Sequence, residues 1–316
     1  MARKILTFVT LVTLTCYSSM LAAQEKYTVQ PRFEPGKYVQ TMETANDMVT
    51  RIGDLDSEDG IPMKQEQKQK LLLEVSRPNA QGTQKMKMTF AEIQMNQTMM
   101  GMEMIYDSTD EDLQDPNLAP VFNAMLGTEV TFDLTQDGKT ENFKGFDELW
   151  DKVAINMPGA GAEMIKAMKD GMGDEMLSSM TGGFDNNFGR EPRAVGEQWT
   201  ETMSQSIPVL GKSEIEFAHT LKSVKDNVAV IATDGKVKMQ GGTFDMGPMK
   251  MKFEKGDMSL VTTTSLNLKT GLAFETKGET KMDMIVAMDM PVGDAQQMEM
   301  RITSNVVSTV KIEKVE

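Results

Sequence analysis

Methionines recur at a spacing of two residues along this chain, and this pattern is the strongest constraint on its fold. The sequence holds 31 methionines in 316 residues, and the alternating pairs include Met86/Met88, Met102/Met104, Met249/Met251, Met282/Met284, Met288/Met290 and Met298/Met300. Side chains two residues apart point to the same face of a β-strand, whereas a helix face needs a spacing of three or four. The pattern therefore predicts β-strands that carry a thioether-lined face.

Alternation of apolar and polar residues extends this prediction along most of the chain. In the run from Met86 to Phe90 the even positions are apolar and the odd positions polar, which is typical of a half-buried antiparallel strand. The same criterion, with Gly, Asn and Asp marking turns, predicts strands over Tyr38–Val49, Lys70–Arg77, Thr83–Ile93, Met99–Asp107, Glu129–Leu134, Lys139–Phe143, Glu214–Val224, Val228–Thr233, Lys236–Gln240, Lys250–Phe253, Ser259–Leu268, Lys281–Met290 and Gln297–Val310.

The segment from Gly145 to Gly183 has helical periodicity instead. Its first part places apolar residues at helical spacing from Phe146 to Val153, and its second part carries Met164 and Met168 on one amphipathic face. A weak internal repeat flanks this segment and suggests two similar β-meander halves. We therefore predict one integrated domain with an N-terminal β half at 24–144, a helical insert at 145–183 and a C-terminal β half at 184–316.

The N-terminus has the pattern of a secretory signal peptide. Arg3 and Lys4 precede an apolar stretch that is too short to span a membrane, and a small-residue cleavage site ends at Ala23. Residues 1–23 are predicted to be removed on export to the periplasm or the extracellular space. The sole cysteine, Cys16, lies inside this signal; the alternative is an outer-membrane lipoprotein anchored through Cys16.

Composition argues against several classes of function. The formal net charge is −14 and no basic cluster stands out, so nucleic acid is not an expected partner. No later segment is long and apolar enough for a transmembrane helix. The single histidine, His219, lies in an alternating strand without a nucleophile motif, and phosphate-loop and dinucleotide fingerprints are absent. We expect a non-enzymatic protein without a cofactor.

Four short motifs occur in a recognisable order: Phe33-x-Pro-Gly-x-Tyr, Ile105-Tyr-Asp-Ser, Phe132-Asp-Leu-x-x-Asp-Gly and Val195-Gly-Glu-Gln-Trp. Together they resemble a domain-of-unknown-function family of secreted, β-rich envelope proteins from Gram-negative bacteria. The resemblance covers most of the chain after the signal. It implies a mainly β (α+β) fold built as a large curved antiparallel sheet, or half-barrel, with a helical insert. It implies no catalytic residues.

Three interpretations of the methionines stay open. They are core filler of a purely structural or interaction protein, the lining of a cavity for an apolar ligand, or a soft-metal site of a Cu(I)-binding or redox-buffering protein. The ligand-binding hypothesis predicts that an apolar small molecule or lipid occupies a curved sheet beneath a methionine-bearing helix. Its candidate cavity residues are Met164, Met168, Met282, Met284, Met288, Met290, Met298 and Met300.

Overall fold

Strands account for most of the structure. The computed structural model describes residues 25–54, 59–136, 140–156, 188–207, 211–239, 241–246, 249–289 and 297–315. The strands within these ranges are β1 (Lys26–Tyr27), β2 (Gly36–Ile52), β3 (Ile61–Val75), β4 (Gln84–Met99), β5 (Met102–Asp107), β6 (Glu129–Leu134), β7 (Thr140–Lys144), β8 (Arg193–Ala194), β9 (Gln198–Ile207), β10 (Gly211–Lys225), β11 (Val228–Met239), β12 (Thr243–Met246), β13 (Met249–Asn267), β14 (Ala273–Asp289) and β15 (Gln297–Lys314).

Thirteen of the described strands form one antiparallel sheet. Its path is β7-β6-β4-β3-β2-β15-β14-β13-β11-β10-β9, with β5 paired to β4 and β12 paired to β13. Each half of the chain is therefore a meander, and the two halves join where β2 pairs with β15, from Tyr38↔Lys314 to Ile52↔Met300. The predicted mainly β fold, with a large curved antiparallel sheet and a helical insert, is confirmed; the residue bounds of the halves stay predictions.

Two α-helices and a 3-10 turn (Glu111–Leu113) accompany the described part of the sheet. Helix α1 spans Ala119–Met125 and helix α2 spans Phe146–Asn156. Helix α2 begins after Gly145, which has a φ of 99°, and it carries Asp147 and Glu148 in its first turn, where carboxylates favour the helix N-terminus. None of the described helices is long and apolar enough to cross a membrane.

Several strands are longer than their hydrophobic patterns predicted, and β3 has the clearest physical reason. Strand β3 starts at Ile61, nine residues before the predicted start at Lys70. The early part was not predicted because Gln65, Gln67 and Gln69 occupy positions on the same face as Met63 and Leu71. A run of glutamines and lysines has no apolar alternation, so it gives no strand signal. Backbone pairing with β2 and β4 maintains the strand there.

Two buried clusters stabilise opposite ends of the sheet. The first lies on the N-terminal half beneath α1 and α2, and its largest fully buried members include Tyr38, Leu73, Met86, Ile93, Tyr106 and Phe132. The second lies on the C-terminal half and comprises Val29, Phe188, Trp199, Leu221, Ala229, Ile231 and Leu266. Burial of such side chains stabilises each by about 1.5–3 kcal/mol relative to exposure.

Candidate functional site

Both buried clusters lie on the same face of the sheet, which we call the inner face. Directly paired residues of antiparallel strands project to one face, so the pairing register can be followed from strand to strand. One such row connects the second cluster to the first: Leu221, Ile231, Thr264, Thr276, Val310, Met42, Gln69 and Ile93. The described residues between the clusters leave the middle of this face half-buried.

Charged residues are almost entirely segregated to the opposite, outer face. Across the five central strands β3, β2, β15, β14 and β13, the register assigns one charged residue of the described chain to the inner face, Lys314 at its rim. The outer face of the same strands carries ion pairs such as Lys68 with Glu43 at 3.0 Å and Arg301 with Asp283 at 2.6 Å. The inner face is thus an uncharged surface on a strongly acidic protein.

A line of methionines crosses the inner face at right angles to the strands. The pairing register aligns five methionines in one row across six strands, and the only interruption in this row is Ser304. All five side chains are half-buried, and the line spans about 24 Å at the usual spacing between strands. We call this line the methionine ladder: Met258, Met282, Met48, Met63 and Met99.

The predicted cavity residues are only partly described. Met282, Met284 and Met288 on β14 and Met298 and Met300 on β15 all lie on the inner face, and Met288 pairs directly with Met298. All five of these side chains are half-buried. Met164, Met168 and Met290 lie outside the described residues.

Sequence reasoning missed the ladder members on the N-terminal half and on β13. Met48, Met63 and Met258 are isolated methionines, so the Met-x-Met pattern does not mark them. Only their alternation with polar neighbours in each strand was available as a signal. The register of four strand pairs is needed to place them in one row with Met282.

Polar residues adjoin the ladder on the side toward the buried clusters. In the first row beyond it, Asn46 Oδ1 accepts a hydrogen bond from Ser304 Oγ of the ladder row at 2.7 Å, and Gln65 Nε2 donates to the Met95 sulfur at 3.5 Å. Gln97 Nε2 donates to the Met63 sulfur at 3.1 Å. Further from the ladder lies a set of half-buried side chains that we call the polar belt: Thr44, Gln67, Gln69, Thr262 and Ser308.

His219 is packed within the second cluster's aromatic side chains. Its ring centroid lies 5.3 Å from those of Trp199 and Phe188, and its Nδ1 is 2.8 Å from Thr233 Oγ1. Burial lowers the pKa of His219 to about 4, so the ring is neutral at pH 7. Among the described residues, no group of three or more His, Cys, Asp or Glu could hold a metal ion.

Two grooves of the described chain open mainly on the outer face. One, of about 640 Å³, is lined by Lys85, Lys87 and Lys144 together with acidic residues, and Lys87 pairs with Glu74 at 3.2 Å. The other, of about 500 Å³, lies near Val307, and its lining also includes the belt residues Thr44, Gln67 and Ser308. Charged residues line both grooves, so they offer less to an apolar ligand than the uncharged inner face does.

Comparisons with known proteins agree with this architecture. The model of a family of unknown function (DUF6263) matches residues 81–273, and no curated protein sequence matches the chain. A structure of lipovitellin, described for its lipid–protein interactions, aligns with a TM-score of 0.50 and 10% identity over 90% of this chain and 26% of lipovitellin. The chain thus spans about a quarter of that protein's length, and the likeness shows the fold alone.

Weaker alignments involve outer membrane proteins. OprG from Pseudomonas aeruginosa aligns with a TM-score of 0.24 and 6% identity, over 90% of this chain and 98% of OprG. An outer membrane channel from Pseudomonas putida F1 gives the same TM-score at 7% identity, over 90% of this chain and 98% of the channel.

Proposed function

The chain belongs to the family of unknown function DUF6263, and from that premise we propose that it binds a lipid-like, apolar ligand on the inner face of its sheet. The observation that carries the proposal is the segregation of charge. The protein has a net charge of −14. In the described residues of the central strands, however, the inner face carries one charged side chain, Lys314, and that residue lies at the rim. Contiguous uncharged surface of this kind is typical of binding sites.

The methionine ladder supplies a surface suited to flexible hydrocarbon. Methionine is unbranched and polarizable, so its side chain adapts to irregular apolar shapes better than Leu or Val does. The ladder's span of about 24 Å is comparable to an extended long-chain acyl group. Lipovitellin shares the fold, and its lipid–protein interactions support the same class of ligand here by analogy of fold.

We further propose that the protein is exported, to the periplasm or beyond, and acts without catalysis. The basic and apolar pattern before Ala23 supports export. The packing of His219 among aromatic rings, with a pKa lowered by burial, supports a structural role for that residue. N-terminal sequencing of protein purified from its native envelope tests export: a mature start after Ala23 is expected, and an intact Met1 contradicts it.

Native mass spectrometry of the purified protein tests ligand binding directly. We expect adducts in the mass range of lipids, together with saturable enhancement of fluorescence of N-phenyl-1-naphthylamine after delipidation. The substitution Met48→Lys introduces a charge at the centre of the ladder, and it should weaken probe binding at least tenfold because the ammonium would lose its hydration on contact with the ligand.

Val307→Lys is the matched control, since Val307 is on the neighbouring strand, faces outward and is 50% exposed. This variant should bind the probe as the wild type does. Equal loss in both variants, or a wild-type protein that binds no probe and carries no adduct, contradicts the proposal.

A further inference from the structure

We propose that the ligand of the inner face is an uncharged amphiphile, with its hydrocarbon along the methionine ladder and its hydroxyl, ester or amide groups on the polar belt. This inference rests on the proposed function and adds the chemical class and the orientation of the ligand. Met48 and Thr44 lie four residues apart on β2, so ladder and belt are about 13 Å apart. That separation is suited to the two ends of one amphiphile.

The polar groups beside the ladder and those of the belt differ in how they are satisfied. Next to the ladder, Asn46 accepts from Ser304, and Gln65 and Gln97 donate to methionine sulfurs. The belt side chains make no side-chain hydrogen bond within the described chain, although they are half-buried. Half-buried amides and hydroxyls without partners are costly unless water or a ligand satisfies them.

Two further observations support the belt as a place of contact. Gln40 lies on the inner face next to the belt, is 8% exposed, and its Oε1 is buried without a hydrogen-bond partner. Thr262 and Ser308 approach one another above Gly278, because a Cβ at Gly278 would lie 3.1 Å from Thr262 Cγ2 and 3.2 Å from Ser308 Oγ. The methyl group of Thr262 and the hydroxyl group of Ser308, from the two strands that flank β14, thus lie over Gly278, where glycine leaves room.

Charge complementarity excludes an anionic head group from this position. The described inner face of the central strands has one cation, Lys314, and its Nζ lies at the rim in an ion pair with Glu34 Oε2 at 3.0 Å. A carboxylate or phosphate on the belt would lie in a half-buried setting without a counter-charge, which is strongly unfavourable. Donors and acceptors of Gln67, Gln69 and Thr44 instead match neutral hydroxyl, ester and amide groups.

Competition against N-phenyl-1-naphthylamine tests the inference with delipidated full-length protein. The competitors are a monoacylglycerol, the fatty acid anion and a lysophosphatidylglycerol of equal chain length, at about pH 8 and low ionic strength. We expect the monoacylglycerol to compete at least tenfold more tightly than either anion. Tighter competition by an anion, or equal competition by all three compounds, overturns the inference. The proposed function is judged separately, by whether the wild-type protein binds the probe.

Variants of the belt separate head-group contact from general binding. The double variant Thr44→Val, Gln67→Leu should lose about tenfold in monoacylglycerol affinity and retain probe affinity, because only polar partners are removed. Thr309→Val, one residue along β15 from Ser308 on the outer face, should change neither. Ser308→Ala is the milder second variant if the double variant does not fold. Unchanged monoacylglycerol affinity in folded belt variants overturns the inference; a wild-type protein that binds neither probe nor amphiphile overturns the proposed function.

Discussion

Protonation of the single histidine should destabilise the folded protein in mild acid. His219 is 5% exposed and its Nε2 is buried without a hydrogen-bond partner, so a second proton on the ring would be an uncompensated buried charge. Burial lowers the pKa of His219 from 6.5 to about 4. The unfolded chain therefore takes up a proton at a pH where the native chain does not, and stability falls as the pH drops from 6.5 through 4.

The size of this effect follows from the two pKa values. A native pKa of about 4 and an unfolded pKa of 6.5 predict that His219 removes about 2 kcal/mol of stability between about pH 7.5 and about pH 5. Burial raises the pKa of Glu201, and this shift changes stability in the opposite direction as the pH falls. The histidine contribution is therefore the difference between the wild type and a variant that lacks it.

His219→Gln is the suitable variant, because an amide retains the capacity to bond Thr233 but does not titrate. Urea unfolding followed by tryptophan fluorescence is the assay, since the Trp199 ring contacts His219. We expect the wild type to lose about 2 kcal/mol more than the variant over this interval. A loss equal in both proteins, or a histidine NMR titration with a midpoint near the unperturbed 6.5, would refute the reasoning.

Three further changes test other parts of the structure. Leu73→Ala, at a site 1% exposed in the first cluster, should cost about 2–5 kcal/mol in urea unfolding, whereas a cost under about 1 kcal/mol would contradict the packing. Gly145→Ala should destabilise by more than about 1 kcal/mol in thermal unfolding, because φ is 99° there and a Cβ would collide with the backbone of Glu129; a neutral result would contradict that backbone geometry. Under dilute peroxide, peptide mapping should find Met102, 61% exposed, oxidised well before Met86, 1% exposed, and the reverse order would contradict the burial of Met86.

The predicted strand faces agree with the structure where a strand has an apolar alternation. Met86, Met88 and Phe90 are buried on one face of β4, and Met282 and Met284 share one face of β14. The periodicity of two is a local property of the extended backbone, so it is legible in a sequence without knowledge of the partner strands. For the same reason the start of β3 was missed, where glutamines take the inner positions.

The candidate site depended on information that no single strand contains. Met48, Met63 and Met258 join the predicted Met282 in one row only because β2 pairs with β15 and each strand has one particular register. Register is set by long-range hydrogen bonds and by the burial of the two clusters, which act on the whole sheet.

The sequence by itself determined that this is a mainly β protein, with a helical segment, whose strands place thioethers on one face and charges on the other. The tertiary structure decided which strands are adjacent, and thereby turned scattered methionines into one ladder and two glutamines, two threonines and a serine into one belt. The physical reason is that the alternation of side chains is fixed by backbone geometry within each strand, whereas alignment across strands depends on pairing between residues as distant in the chain as Met48 and Ser304.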